Sequence, residues 1–240
     1  LLGAECVVCA RNLELLQKFD VTQDLGLDAV DVIDAAGYLV AFSTELDSPN
    51  IGQFYAGDLL ATNGTVIPNQ ALTHATNPPD GIGLDLGLDS LHFTGNPQSI
   101  TSFLEFTATQ SREDWLTNPG MLANTLIEMG IDICYSTEGT AGPVSRPKFL
   151  DGNVLSARTG AIIFTNADLL PSSVPGGIPS RGLDFGVDAF TAQRNGELEP
   201  AMFSTEILFR GEPAFNDGDL LLSRGRVIIP HFELIMCFEP

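Results

Sequence analysis

Positive charge is what this chain has least of. Eleven Lys and Arg stand against 31 Asp and Glu, a formal charge of −20 at pH 7, and only Lys18 and Lys148 are lysines. A field of that sign repels phosphate backbones and anionic lipid, so nucleic acid is excluded as a partner and cations or basic partners are favoured. No stretch of about eighteen apolar residues occurs, so membrane insertion of a helix is not expected. Catalytic signatures are equally scarce. His74, His92 and His231 form neither HxxxH nor HExxH, which argues against a zinc hydrolase. There is no GxSxG elbow, no Walker loop and no GxGxxG in a βαβ setting.

Cysteine is sparse but placed suggestively. Cys6 and Cys9 form "CVVC" near one end, Cys237 lies near the other, and Cys134 lies between them. The first pair lacks the His of a haem-attachment motif, and a single CxxC is weak evidence for zinc. Structural disulfides are therefore expected, with a bond to Cys237 tying the ends together, in an oxidising extracellular or cell-surface compartment.

What is present in quantity is repetition. "DLGLDAV" at 24–30 returns as "DLGLDSL" at 85–91 and "DFGVDAF" at 184–190. "FSTE" at 42–45 returns as "YSTE" at 135–138 and "FSTE" at 203–206. "GDLLATNGTVIP" at 57–68 returns as "GNVLSARTGAII" and "GDLLLSRGRVII". Ahead of each unit comes a leucine-bearing segment: "RNLELLQKF", "NQALTHATNPP" and "NADLLPSSVPGG".

Short β-branched and aromatic runs punctuated by Gly turns predict four strands per unit. "AAGY" and the Asn-Gly of "RNGE" read as the first hairpin, and the Asn-Gly of "ATNGTV" as the second. The expected fold is all-β: one domain of repeated four-stranded antiparallel meanders over about 24–75, 82–171 and 182–235. Asp89 to Asp188 spans 99 residues against 61 from Asp28 to Asp89. The excess, about 95–130, reads as an insertion with "NPGMLANTLIEMG" helical, or as a worn fourth repeat in which "LEFTATQ" echoes "AFSTEL". Over roughly residues 24–235 the unit resembles the propeller-like blades of secreted bacterial proteins, which implies a β-propeller-like array. A β-sandwich built from the same hairpins is the alternative.

The repeated acids are the candidate chemistry. Asp28, Glu45 and Asp58, and again Asp188, Glu206 and Asp219, offer hard oxygen ligands for calcium; the second copy offers Asp89, Glu138 and Asn153. Glu45 to Asp58 and Glu206 to Asp219 are each thirteen positions apart. The competing reading makes the Asp of each "LDA" an acceptor of backbone N–H groups at the mouth of a turn. Arg112 and Trp115, in the segment that only copy two carries, are the candidate binding residues.

Acids present in every repeat argue for architecture, because a catalytic pair should be singular. The expected function is therefore a non-enzymatic secreted or cell-surface repeat protein with a structural, adhesive or appendage role, stabilised by calcium. It would take a protein or glycan partner, or self-associate. The alternative is a secreted hydrolase of glycosidase or lactonase type on the same scaffold.

Overall fold

The computed structural model describes residues 8–78, 85–143, 145–177 and 184–236. Each repeat folds as a four-stranded antiparallel sheet whose strand order follows the chain. The first comprises β1 (Val30–Asp34), β2 (Leu39–Phe42), β3 (Leu59–Ala61) and β4 (Val66–Ile67). The second comprises β5 (Ser90–Thr94), β6 (Asp132–Ser136), β7 (Val154–Ser156) and β8 (Ile162–Phe164). The third comprises β9 (Ala189–Thr191), β10 (Met202–Ser204), β11 (Leu220–Leu222) and β12 (Arg226–Ile229).

Alternation along the strands gives every sheet two apolar faces, and the three sheets stack. Leu91, Tyr135 and Leu155 of the second sheet share a core with Ala29, Ala41, Leu59 and Ala61 of the first. Phe190, Phe203 and Leu221 of the third share another with Cys134, Val154 and Phe164 of the second. Val40, Phe42 and Leu60, on the far face of the first sheet, are covered by Leu15, Leu16 and Phe19. Those three belong to α1 (Asn12–Leu15) and the 3₁₀ turn that follows it. The first strands lie side by side in the order β1, β5, β9.

A short helix opens each unit. The equivalents of α1 are α2 (Asn69–Thr73) and α6 (Asn166–Leu169); α7 (His231–Ile235) follows the third sheet. The extra length of the second unit is helical: α3 (Pro97–Thr107), α4 (Arg112–Thr117) and α5 (Gly120–Met129) lie between β5 and β6. Asn96 accepts the Gln98 N–H to start α3, Ser111 and Asp114 form a capping box on α4, and Gly130 in the left-handed region ends α5. "LEFTATQ" falls at the end of α3, so no fourth sheet is hidden there. Ile100, Phe103, Leu104, Trp115, Leu122 and Leu126 join the core between sheets one and two. The chain is thus β-rich rather than all-β. The "RNGE" turn is not a tight hairpin either: ten residues separate β9 from β10.

Candidate functional site

The repeated words divide the work of the fold residue by residue. In "FSTE" the Thr caps its own turn: Thr44, Thr137 and Thr205 hydroxyls donate to the carbonyls of Leu46, Gly139 and Ile207. The Ser ties one unit to the next. Ser43 Oγ donates to the Leu88 carbonyl at 2.9 Å, and Ser136 Oγ to the Val187 carbonyl at 2.6 Å. The Glu folds over the Gly of "DLG" or "DFG". Gly26, Gly87 and Gly186 adopt φ of +74°, +72° and +64°, and a Cβ there would strike Glu45, Glu138 and Glu206 respectively. Only glycine meets both conditions. The Asp ahead of it locks the bend, accepting the glycine N–H at Asp24, Asp85 and Asp184.

A third element of this joint is the Asn that opens the unit. Asn69 donates to the carbonyls of Gly57 and Gly87 while its Oδ1 accepts the Leu86 N–H. Asn166 repeats the pattern with Gly152, Gly186 and Phe185. Both are buried and bridge two units. Sequence reasoning saw the leucines of these segments and passed over the Asn, although it stands at the same place in "RNLEL", "PNQAL" and "TNADL".

These joints bring the repeated acids together across units. One carboxylate oxygen from each of Asp28, Asp89 and Glu138 lies within 4.8 Å of the others, and the three come from two units. Asp89 is buried, and its Oδ2 meets no hydrogen-bond donor. Burial, then the charges of Asp28, Glu206, Glu138 and Asp188, push the Asp89 carboxyl up to about 9. Burial and Glu45 raise Asp28 to about 7 despite the Ser43 hydroxyl at 3.3 Å. Glu138 and Glu206 are raised as well, burial leading in both. Asp188 is exposed and accepts the Ser204 hydroxyl at 2.9 Å. Asp28, Asp89 and Asp188 line a cavity of about 210 Å³ together with Val30, Met202 and Leu220.

The expected ligand sets are therefore redistributed. Asp58 accepts the N–H groups of Tyr55 and Asn69 and the Arg112 guanidinium, whose Nε is 2.7 Å away. Asp219 accepts the N–H groups of Asn216 and His231. Both are buried groups that lock turns. Asn153 does the same for the Leu150 N–H. Asp28 stays in a cluster that Asp89 and Glu138 join, Asp188 lines the same cavity as Asp28 and Asp89, and Glu45 and Glu206 lie over Gly26 and Gly186. A pairing that joins residues of neighbouring units leaves no trace in the spacing within one unit.

The candidate binding residues fare differently from each other. Trp115 is fully buried in the core between sheets one and two, packed edge-on to Phe106. Its indole N–H meets no acceptor. Arg112 is drawn in by Asp58 and sits 4.4 Å over the Tyr55 ring. It lines an open groove of about 490 Å³ together with Asp47, Asp85, Gln70 and Glu138.

Cys134 is a buried free thiol between sheets two and three, with its pKa raised by burial, and it forms no disulfide. Cys6 and Cys237 lie outside the described residues, and Cys9 is exposed. No helix among the described residues is long and apolar enough to cross a membrane. In comparison with known proteins, the chain matches no family model, no curated protein and no solved structure at a significant level.

Proposed function

We propose that the protein is a non-enzymatic repeat scaffold displayed outside the cell, a propeller-like array whose axial carboxylates hold a hard divalent cation, calcium first. The cation reading is carried by Asp89: it is buried, its Oδ2 has no hydrogen-bond partner, and one of its carboxylate oxygens lies within 4.8 Å of an oxygen of Asp28 and of Glu138. A bare buried carboxylate is costly, and either a proton or a cation must neutralise it. Oxygens within 4.8 Å of one another suit the 2.3–2.6 Å bonds that calcium makes.

The propeller-like arrangement is supported by the meander order within each sheet and by the sequence β1, β5, β9 of neighbouring first strands. The acids gathered at the axis all belong to the repeat, which favours an ion-holding role over a single catalytic pair. The strongly acidic composition suits a basic protein or a glycan as partner, and a structural, adhesive or appendage role.

The test is thermal unfolding in millimolar calcium and in chelator, with Asp89→Asn beside the wild type. Calcium should raise the melting temperature of the wild type and leave the variant unmoved. Equal melting temperatures with calcium and with chelator would refute the cation.

A further inference from the structure

The two internal joints obey one rule, and the outer units leave part of each half of it uncovered. Each sheet turns a downstream face to the next unit: Ala41 in the first and Cys134 in the second are buried there, at 0% and 1% exposure. Their counterpart in the third sheet, Met202, is 38% exposed. Each sheet also turns an upstream face to the unit before. Leu91 and Phe190 are buried on it, whereas Val30, at the same position of the first sheet, is 46% exposed. Val30 and Met202 face the same axial cavity, yet neither covers the other.

The hydrogen bonds show the same loose ends. Ser43 and Ser136 donate across a joint, but Ser204 donates only to Asp188 of its own unit. Asn69 and Asn166 bridge two units, but Asn12 binds only Leu25 and Gly26 of its own. At the far end α7 starts where the next Asn would stand, carries His231 instead, and buries none of its residues.

We propose that the downstream face of the third unit docks on the upstream face of the first unit in a second copy of this chain, and that the reciprocal contact closes a two-chain ring of six sheets. One upstream and one downstream face per chain make a head-to-tail pair, and a two-fold axis satisfies both contacts at once. The third joint then repeats the two internal ones. Met202 covers Val30 of the second copy, and the Ser204 hydroxyl meets the carbonyl of its Leu27, the position equivalent to Leu88 and Val187. Helix α1 of the incoming unit takes the place of α7, which buries none of its residues and gives up the bond from the His231 N–H to Asp219. The axial acids continue through the joint as Asp188 with Asp28 and Glu45 of the second copy, the combination found at the internal joints. A filament is the other product of a head-to-tail contact, and an unrelated apolar partner is the other occupant.

The experiment is size-exclusion chromatography with light scattering on the purified chain, in calcium. The expected mass is twice 25.6 kDa. Val30→Glu and Met202→Glu, each checked for a native circular-dichroism melt, should run as monomers, with a dissociation constant raised about thirtyfold or more. Mixing the two variants leaves one wild-type upstream face against one wild-type downstream face, so a one-to-one heterodimer should reappear. A monomeric wild type overturns the proposal, as does a mixture that stays monomeric. A mass that climbs with concentration overturns the closed ring in favour of a filament. A folded variant that remains fully dimeric shows that another surface pairs the chains.

Discussion

Arg194, in the loop after β9 of the third unit, grips Asp31 on β1 of the first with both terminal guanidinium nitrogens, Nη1 lying 2.8 Å from Oδ2. The same side chain donates to the carbonyls of Val32 and Phe93, and its backbone carbonyl accepts the Gly95 N–H. Asp31 is 8% exposed and also accepts the Phe93 N–H. One loop residue therefore touches all three units. Asp31→Ala should cost about 3 kcal/mol, because it strands a guanidinium and a buried N–H. Urea unfolding of the variant checks this, and Asp31→Asn should recover part of the loss.

The bridging Asn residues give a second expectation. Asn69→Ala leaves the Leu86 N–H and two carbonyls without partners, a loss of about 2 kcal/mol. Asn166→Ala should cost a similar amount at the other joint. The two sites share no hydrogen-bond partner, so the double variant should fall within about 0.5 kcal/mol of the sum. A double variant far from additive would show that the joints are not independent.

The acids predict how stability depends on pH. Asp28 and Asp89 titrate at about 7 and about 9 in the folded chain, above their ordinary values. A carboxyl whose folded pKa is raised favours folding while it keeps its proton. Without a cation, that contribution is complete below the ordinary carboxylate range and is lost as pH rises through about 7 to 9. In chelator the melting temperature should fall as pH rises from the ordinary carboxylate range and level off above about 9, and Asp89→Asn should flatten the fall. Millimolar calcium, competing with the proton, should remove the alkaline loss from the wild type.

Trp115 supplies an internal reporter. Its burial predicts a blue-shifted emission that moves to the red on unfolding, and it is the chain's one Trp. Trp115→Phe removes the indole N–H that has no acceptor and should cost well under the about 3–5 kcal/mol of Trp115→Ala. A ligand that quenched this emission without unfolding the chain would argue that the residue is accessible.

The sheets were legible because alternation and turn chemistry are local. "YLVAFSTE" reads as a strand with its exit turn, and its Thr44 does cap that turn. Less could be seen where partners come from different units. Nothing within "DLGLDAV" tells that Asp28 faces Asp89 and Glu138, since that meeting depends on how two sheets stack. The acid of "GDLL" reads in the sequence as a ligand, and the backbone N–H groups it accepts are not legible there. Arg112 and Trp115 stood out for being unrepeated, yet burial turned one into a core residue and an acid turned the other inward. Arg194 gave no signal at all, being one Arg in a polar loop.

The grip of Arg194 has a consequence for how the molecule comes apart. A stack of repeats held only by the Ser and Asn joints would behave as a one-dimensional array, in which an end unit can peel away while the others persist. By tying the third unit to the first and second at once, Arg194 makes loss of any one unit weaken its hold on the others. Unfolding should then be a single transition in the wild type and separate into stages once that side chain is shortened.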